Sequence, residues 1–83
     1  MEKVADFIRE KIAETLSTSP ADINLNEEFI SLGLDSMHAI FLIDEIEKKF
    51  NVEINPHTFW EFPTINTFSA NLEVQLQSRL KHP

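Results

Sequence analysis

Apolar residues recur along this chain with the period of a helix rather than of a strand. Val4, Ile8, Ile12 and Leu16 return every fourth residue, with Phe7 and Ala13 widening the stripe. Glu2, Lys3, Asp6, Arg9, Glu10, Lys11 and Glu14 fill the opposite face, and the pattern predicts a helix over about residues 2 to 17. Ser17-Thr18-Ser19-Pro20 ends it, because proline clashes with a preceding helical turn and hydroxyl side chains favour turns. Residues 17 to 34 read as a long connection that Ile23, Leu25, Phe29, Ile30, Leu32 and Leu34 would anchor by packing, with a short helical turn expected over Glu27 to Ser31.

A second helix is predicted from about Ser36 to Phe50, with Asp35 as its N-cap and Ala39, Ile40, Ile43, Ile46 and Phe50 as its inward face. Lys48 and Lys49 suit the negative end of its dipole, and Asn51 ends it by tolerating the left-handed conformation. Asn55-Pro56 reads as a cap and first position of a short helix over about 56 to 61, which stops before Pro63. Thr64 caps a last helix bearing Ile65, Phe68, Leu72, Leu76 and Leu80 on one stripe. The expectation is an all-α four-helix bundle in one domain over 1–83, with three longer helices, a short third one and a long first loop.

Composition narrows the function. Eighty-three residues leave little room for an enclosed active site beside a core, and the lack of cysteine removes disulfides and thiolate metal sites. The net charge of −7 is a poor match to nucleic acid and a good one to partners with basic patches, or simply keeps a small domain in solution. No apolar run approaches the roughly 20 residues that span a bilayer, and no signal-peptide pattern opens the chain, so a cytoplasmic location is expected; a monomer is expected as well.

The informative stretch is Phe29-Ile30-Ser31-Leu32-Gly33-Leu34-Asp35-Ser36-Met37. The sole glycine, Gly33, stands where the loop must turn into a helix, and glycine permits positive φ. Asp35 as cap leaves Ser36 in the first turn near solvent, where a phosphate ester would meet the positive helix end. The same residues are also compatible with a plain helix cap on a small interaction protein whose acidic second helix binds a basic partner. A serine hydrolase lacks its signature, since Met37 and His38 follow Ser36 and His38 cannot share its helical face. No calcium loop occurs. His57 and Glu61, spaced i, i+4, read as two solvated helix positions rather than metal ligands. Phe59 and Trp60 are expected to close one end of the bundle, and Ala39, Ile40, Ile43 and Ile46 to pack the core or bound a pocket for a short acyl chain.

Leu32-Gly33-Leu34-Asp35-Ser36-Met37 resembles the phosphopantetheine attachment motif of acyl and peptidyl carrier proteins, usually leucine-glycine-x-aspartate-serine-leucine. Phe29 precedes it at the family's spacing, Ile40 to Phe50 is similar to the partner-recognition helix, and Phe59 to Ile65 resembles the stretch after the short third helix, so the likeness covers about residues 4 to 76. Phe62-Pro63-Thr64-Ile65 and Leu34 lean toward polyketide and mixed polyketide–peptide carriers, whereas Phe41 stands where fatty-acid carriers often have an acidic residue. Leu42 stands where carriers serving β-branching enzymes bear tryptophan, so that service is not expected.

The resemblance implies 4'-phosphopantetheine, taken from coenzyme A and joined to Ser36, with Gly33, Leu34 and Asp35 around it and no metal site or catalysis in the chain itself. It implies a phosphopantetheinyl transferase as partner, then ketosynthase, acyltransferase or adenylating loading enzymes, and tailoring or release enzymes. On the helical wheel Met37, Phe41 and Asp44, with Glu45 at the margin, lie opposite the inward face and are the expected partner-recognition residues.

Overall fold

The structure is a computed structural model that describes residues 3–81, with side chains described through Gln77. Four helices form where periodicity placed them: α1 (Val4–Leu16), α2 (Ser36–Phe50), α3 (Thr58–Glu61) and α4 (Ile65–Lys81). Helix α1 packs against α2 and α4. The predicted stripes supply the core: Ile8, Ile12, Ile46 and Ile65 are fully buried, and Val4, Phe7, Phe68 and Leu72 nearly so. Leu76 is partly buried against that core. Glu2 and the side chain of Leu80 lie outside the described residues.

The long loop between α1 and α2 has its own anchors. A 3₁₀ turn, Pro20–Asp22, follows α1, and the Arg9 guanidinium donates from Nε (3.2 Å) and Nη2 (3.0 Å) to the Ile23 carbonyl. Further on, the Phe29 N–H donates to the Pro63 carbonyl at 2.8 Å and the Asn66 N–H to the Leu25 carbonyl at 3.1 Å, stitching the loop to the start of α4. Phe29 then stacks on Phe59, centroids 4.2 Å apart, while Phe68 meets both rings edge-on at 5.9 Å. These three rings join the loop, α3 and α4 into one apolar cluster, a geometry that adds to plain area burial.

Where the loop enters α2, a single turn closes with a Schellman pattern. The Leu34 N–H donates to the Phe29 carbonyl and the Gly33 N–H to the Ile30 carbonyl, each at 3.2 Å. Gly33 holds φ +99°, and the buried Phe29 and Leu34 side chains flank the motif at the positions that usually make its apolar contact. Ser17 and Asn51 end α1 and α2 in the same left-handed region, at φ 56° and 53°. The expected turn over Glu27 to Ser31 is therefore present but lies slightly later, ending at Gly33.

One boundary and two inward placements differ from expectation, Ile30 of the loop being 67% exposed rather than packed. Helix α3 starts at Thr58, not Pro56, because its entry is 3₁₀: the Thr58 and Phe59 N–H groups reach back three residues, to Asn55 and Pro56. Asn55 nonetheless caps this entry, its Oδ1 accepting from the His57 N–H at 2.9 Å. On α2, Ile40 is not inward: it is 64% exposed, and Leu42 is buried in its place. The buried arc centres between Leu42 and Ile43 (with Ala39 and Ile46), leaving Ile40 about 100° away on the α3 side. A four-residue α3 does not cover it.

Candidate functional site

The site is assembled at the N-terminus of α2, by the sequence that ends one turn and starts the next helix. Gly33 closes the turn, Leu34 is buried and fastens it to the core, and Asp35 begins α2 in extended conformation. A Cβ on Gly33 would come no closer than 3.9 Å to the Leu16 side chain, so the demand for glycine comes from the backbone angle and not from crowding. Asp35 Oδ1 accepts the His38 N–H at 2.9 Å, satisfying one of the helix's unpaired donors. Ser36 follows as the first residue of α2, and it is exposed.

The electrostatics are set by the same residues. His38 Nδ1 lies 2.9 Å from Asp35 Oδ1. The His38 backbone N–H holds the Asp35 carboxyl below its ordinary value; partial desolvation opposes this, while the imidazole and the Met37 N–H add to it. Asp35 and His38 are thus engaged with each other. The i, i+3 spacing of Asp35 and His38 is the sequence signal for that pair. The positive end of a fifteen-residue helix remains beside the Ser36 hydroxyl, an environment favourable to a phosphodiester. An exposed hydroxyl on this helix end fits a long phosphate-linked arm.

The surface beside Ser36 is hollowed. Ser36, Ala39, Ile40 and Ile43 face Pro56, Phe59 and Trp60 across a notch of about 150 Å³. Buried Ala39 and Phe59 make its floor, and exposed Ile40 and Trp60 its rim. Ala39, Ile40 and Ile43 thus line a notch at the surface, while Ile46 sits in the core. Phe59 closes the bundle as expected. Trp60, expected to do the same, is 53% exposed instead, since a single-turn helix can bury only one of two adjacent rings.

The expected partner face is solvent-facing. Met37 and Phe41 are 80% and 60% exposed, Asp44 is exposed and Glu45 half-buried. Asp44 Oδ2 pairs with Lys48 Nζ at 3.0 Å, and this bond, with the Asp44 and Glu45 charges, raises the Lys48 pKa. Phe41 and Glu45 also border a shallow groove between α1 and α2 with Lys11 and Glu14. His57 and Glu61 approach to 3.8 Å at the surface, and no cluster of three metal-ligating side chains occurs among the described residues. Nor is any described helix long and apolar enough to cross a membrane.

Comparison with known proteins gives a consistent answer. The family model described as "Phosphopantetheine attachment site" matches residues 6–72. An acyl carrier protein of Aster yellows witches'-broom phytoplasma is 36% identical over 64 residues, covering 77% of this chain and 80% of that one. Polyketide synthase PksL of Bacillus subtilis is 28% identical over 80 residues, which is 96% of this chain but only 2% of that protein's length. Among solved structures, a free-standing peptidyl carrier protein from an Acinetobacter baumannii secondary metabolic pathway superposes with a TM-score of 0.83 at 30% identity, covering 88% of this chain and 91% of that one.

Proposed function

The chain belongs to the phosphopantetheine attachment family, and we propose that it carries acyl groups on an arm joined to Ser36 in polyketide or mixed polyketide–nonribosomal peptide biosynthesis. The observation that carries this reading is the exposed Ser36 hydroxyl at the first position of α2, directly after the Asp35 cap and the Gly33 turn. Attachment requires a transferase. The Ser36 oxygen bonds to the pantetheine-side phosphorus of coenzyme A, the pyrophosphate linkage breaks, and 3',5'-adenosine diphosphate leaves. The hydroxyl proton passes to a base on the transferase.

Once joined, 4'-phosphopantetheine supplies a terminal thiol for thioester carriage. The chain's own residues hold the anchor point rigid at a helix end and keep it clear of the core. Tethering raises the effective concentration of cargo at each enzyme, which is the gain over a free thioester. The chain itself is non-catalytic in this reading and works in the cytoplasm, where acyl–coenzyme A donors are made. Its partners are the transferase, then ketosynthase, acyltransferase or adenylating loading enzymes, and tailoring or release enzymes.

Partners would dock on α2, seating apolar pockets over Met37 and Phe41 while basic side chains meet Asp44 and Glu45. The Asp44–Lys48 pair does not block this, since an exposed ion pair is weak and exchanges readily for an intermolecular one. Thioester carriage is tested by loading the free-thiol arm from coenzyme A, acylating it with an acyltransferase or adenylating loading enzyme, and treating the product with neutral hydroxylamine. Loss of the acyl mass with the arm retained is expected; an acyl group that resists release would contradict thioester carriage.

A further inference from the structure

A second recess flanks the outer face of α2, on the side toward α1. Phe41 and Glu45, one turn apart on α2, face Lys11, Glu14 and Thr15 of α1 across a groove of about 130 Å³, with buried Leu42 at its base. We infer that this groove seats an arginine side chain of the docking enzyme, so that the partner interface runs from α2 onto α1 with Glu14 as a contact; this rests on α2 as the docking face.

Charge, hydrogen-bonding inventory and size point to that occupant. Glu45 is half-buried yet has no ion pair among the described residues, whereas Asp44 beside it is held by Lys48. The Thr15 hydroxyl donates to the Lys11 carbonyl at 2.9 Å, which leaves its oxygen as an acceptor. Lys11 is drawn onto its own helix, its ammonium 3.7 Å from Glu14 and 5.6 Å from the Phe7 ring centre. Apart from that ammonium, the groove presents two carboxylates, a hydroxyl oxygen and the exposed Phe41 ring. A guanidinium matches this set. It carries five N–H donors, grips a carboxylate at two points and stacks on a ring, where a lysine ammonium is a compact point charge. It is also smaller than benzene, which a cavity of about 150 Å³ accepts. An apolar side chain would strip water from Glu45 without replacing its hydrogen bonds, and an anion would meet two carboxylates. The exposed Glu14–Lys11 pair is weak and exchanges readily for an intermolecular one.

Two probes, N-acetyl-arginine amide and N-acetyl-lysine amide, test this by NMR titration of the apo protein. The arginine probe should shift the amide resonances of Glu14, Thr15, Phe41 and Glu45 saturably, and the lysine probe should bind at least about 5-fold more weakly. Glu14→Gln and Phe41→Leu should each weaken the arginine probe about 5-fold, while Glu73→Gln, an equal loss of charge on α4, should leave it unchanged. Equal binding of the two probes, shifts spread over all acidic residues, or no shift in the groove would each overturn the inference. Binding of the phosphopantetheinyl transferase separates this inference from the docking reading beneath it. Glu14→Gln should weaken that binding about 5-fold as well. If Phe41→Ala weakens it and Glu14→Gln does not, docking on α2 stands and the arginine groove is wrong. If neither weakens it, the docking face is wrong, and this inference with it.

Discussion

Ile40 and Ile43 are the same side chain three residues apart on one helix, yet Ile43 is 6% exposed and Ile40 64%. The difference separates two faces of α2 with different duties. The inner face, with Leu42 and Ile46, holds α2 against the bundle. The outer face, with Met37, Phe41 and Asp44, contributes little to folding and lies next to Ser36. Apolar character alone does not distinguish them; what distinguishes them is whether another element covers the residue. On the outer face, apolar side chains left uncovered beside the modification site are available to something outside the fold.

Truncation on each face gives the sharpest contrast. Ile43→Ala should cost about 2–5 kcal/mol of folding stability by lost burial and a residual cavity, whereas Ile40→Ala should stay within about 0.5 kcal/mol. Chemical denaturation of both variants measures this, and equal losses would erase the distinction between the faces. Gly33→Val probes the turn that presents the outer face. With φ at +99°, a β-branched residue should cost about 1–3 kcal/mol and slow the loading of Ser36. Unchanged loading and stability would mean that the turn tolerates a Cβ.

Phe41→Ala tests the outer face directly. It should weaken binding of the transferase by about 1–2 kcal/mol, roughly 5- to 30-fold, with folding almost unchanged. Calorimetric titration reads the first quantity and thermal melting the second; a variant that unfolds but binds normally would reverse the assignment of faces. The smallest effect concerns Asp35. Its folded-state pKa is depressed, so its charge-dependent contribution is present above the ordinary value of 3.8 and fades as pH falls through the lower folded value. Asp35→Asn retains a good cap without that charge, so the stability gap to the native protein should narrow on acidification below about pH 4. A gap that instead widens would show that the carboxylate is not the stabilising form.

Much of this was legible in the sequence. The stripes of α1 and α4, the caps at Asp35 and Thr64 and the glycine turn follow from local rules, and Thr64 does cap α4, its Oγ1 accepting the Thr67 N–H at 3.1 Å. Periodicity missed what depends on neighbours. It identifies residues sharing a face but not how far the flanking element reaches, so the pattern points Ile40 inward and does not single out Leu42. Trp60 failed for the same reason, since only the tertiary placement of α3 decides which of two adjacent aromatics is buried. The Arg9 bonds to Ile23, fourteen residues away, have no local signal at all.

The central claim is that Ser36 bears the arm, and intact-mass measurement after incubation with coenzyme A and a promiscuous phosphopantetheinyl transferase tests it most directly. The native chain should gain the mass of one phosphopantetheine, located by fragmentation at Ser36 within the tryptic peptide from Ile12 to Lys48. Ser36→Ala should gain none while keeping its helical circular dichroism, because Asp35 still caps α2. Full modification of the alanine variant, or no modification of the native chain, would contradict the account.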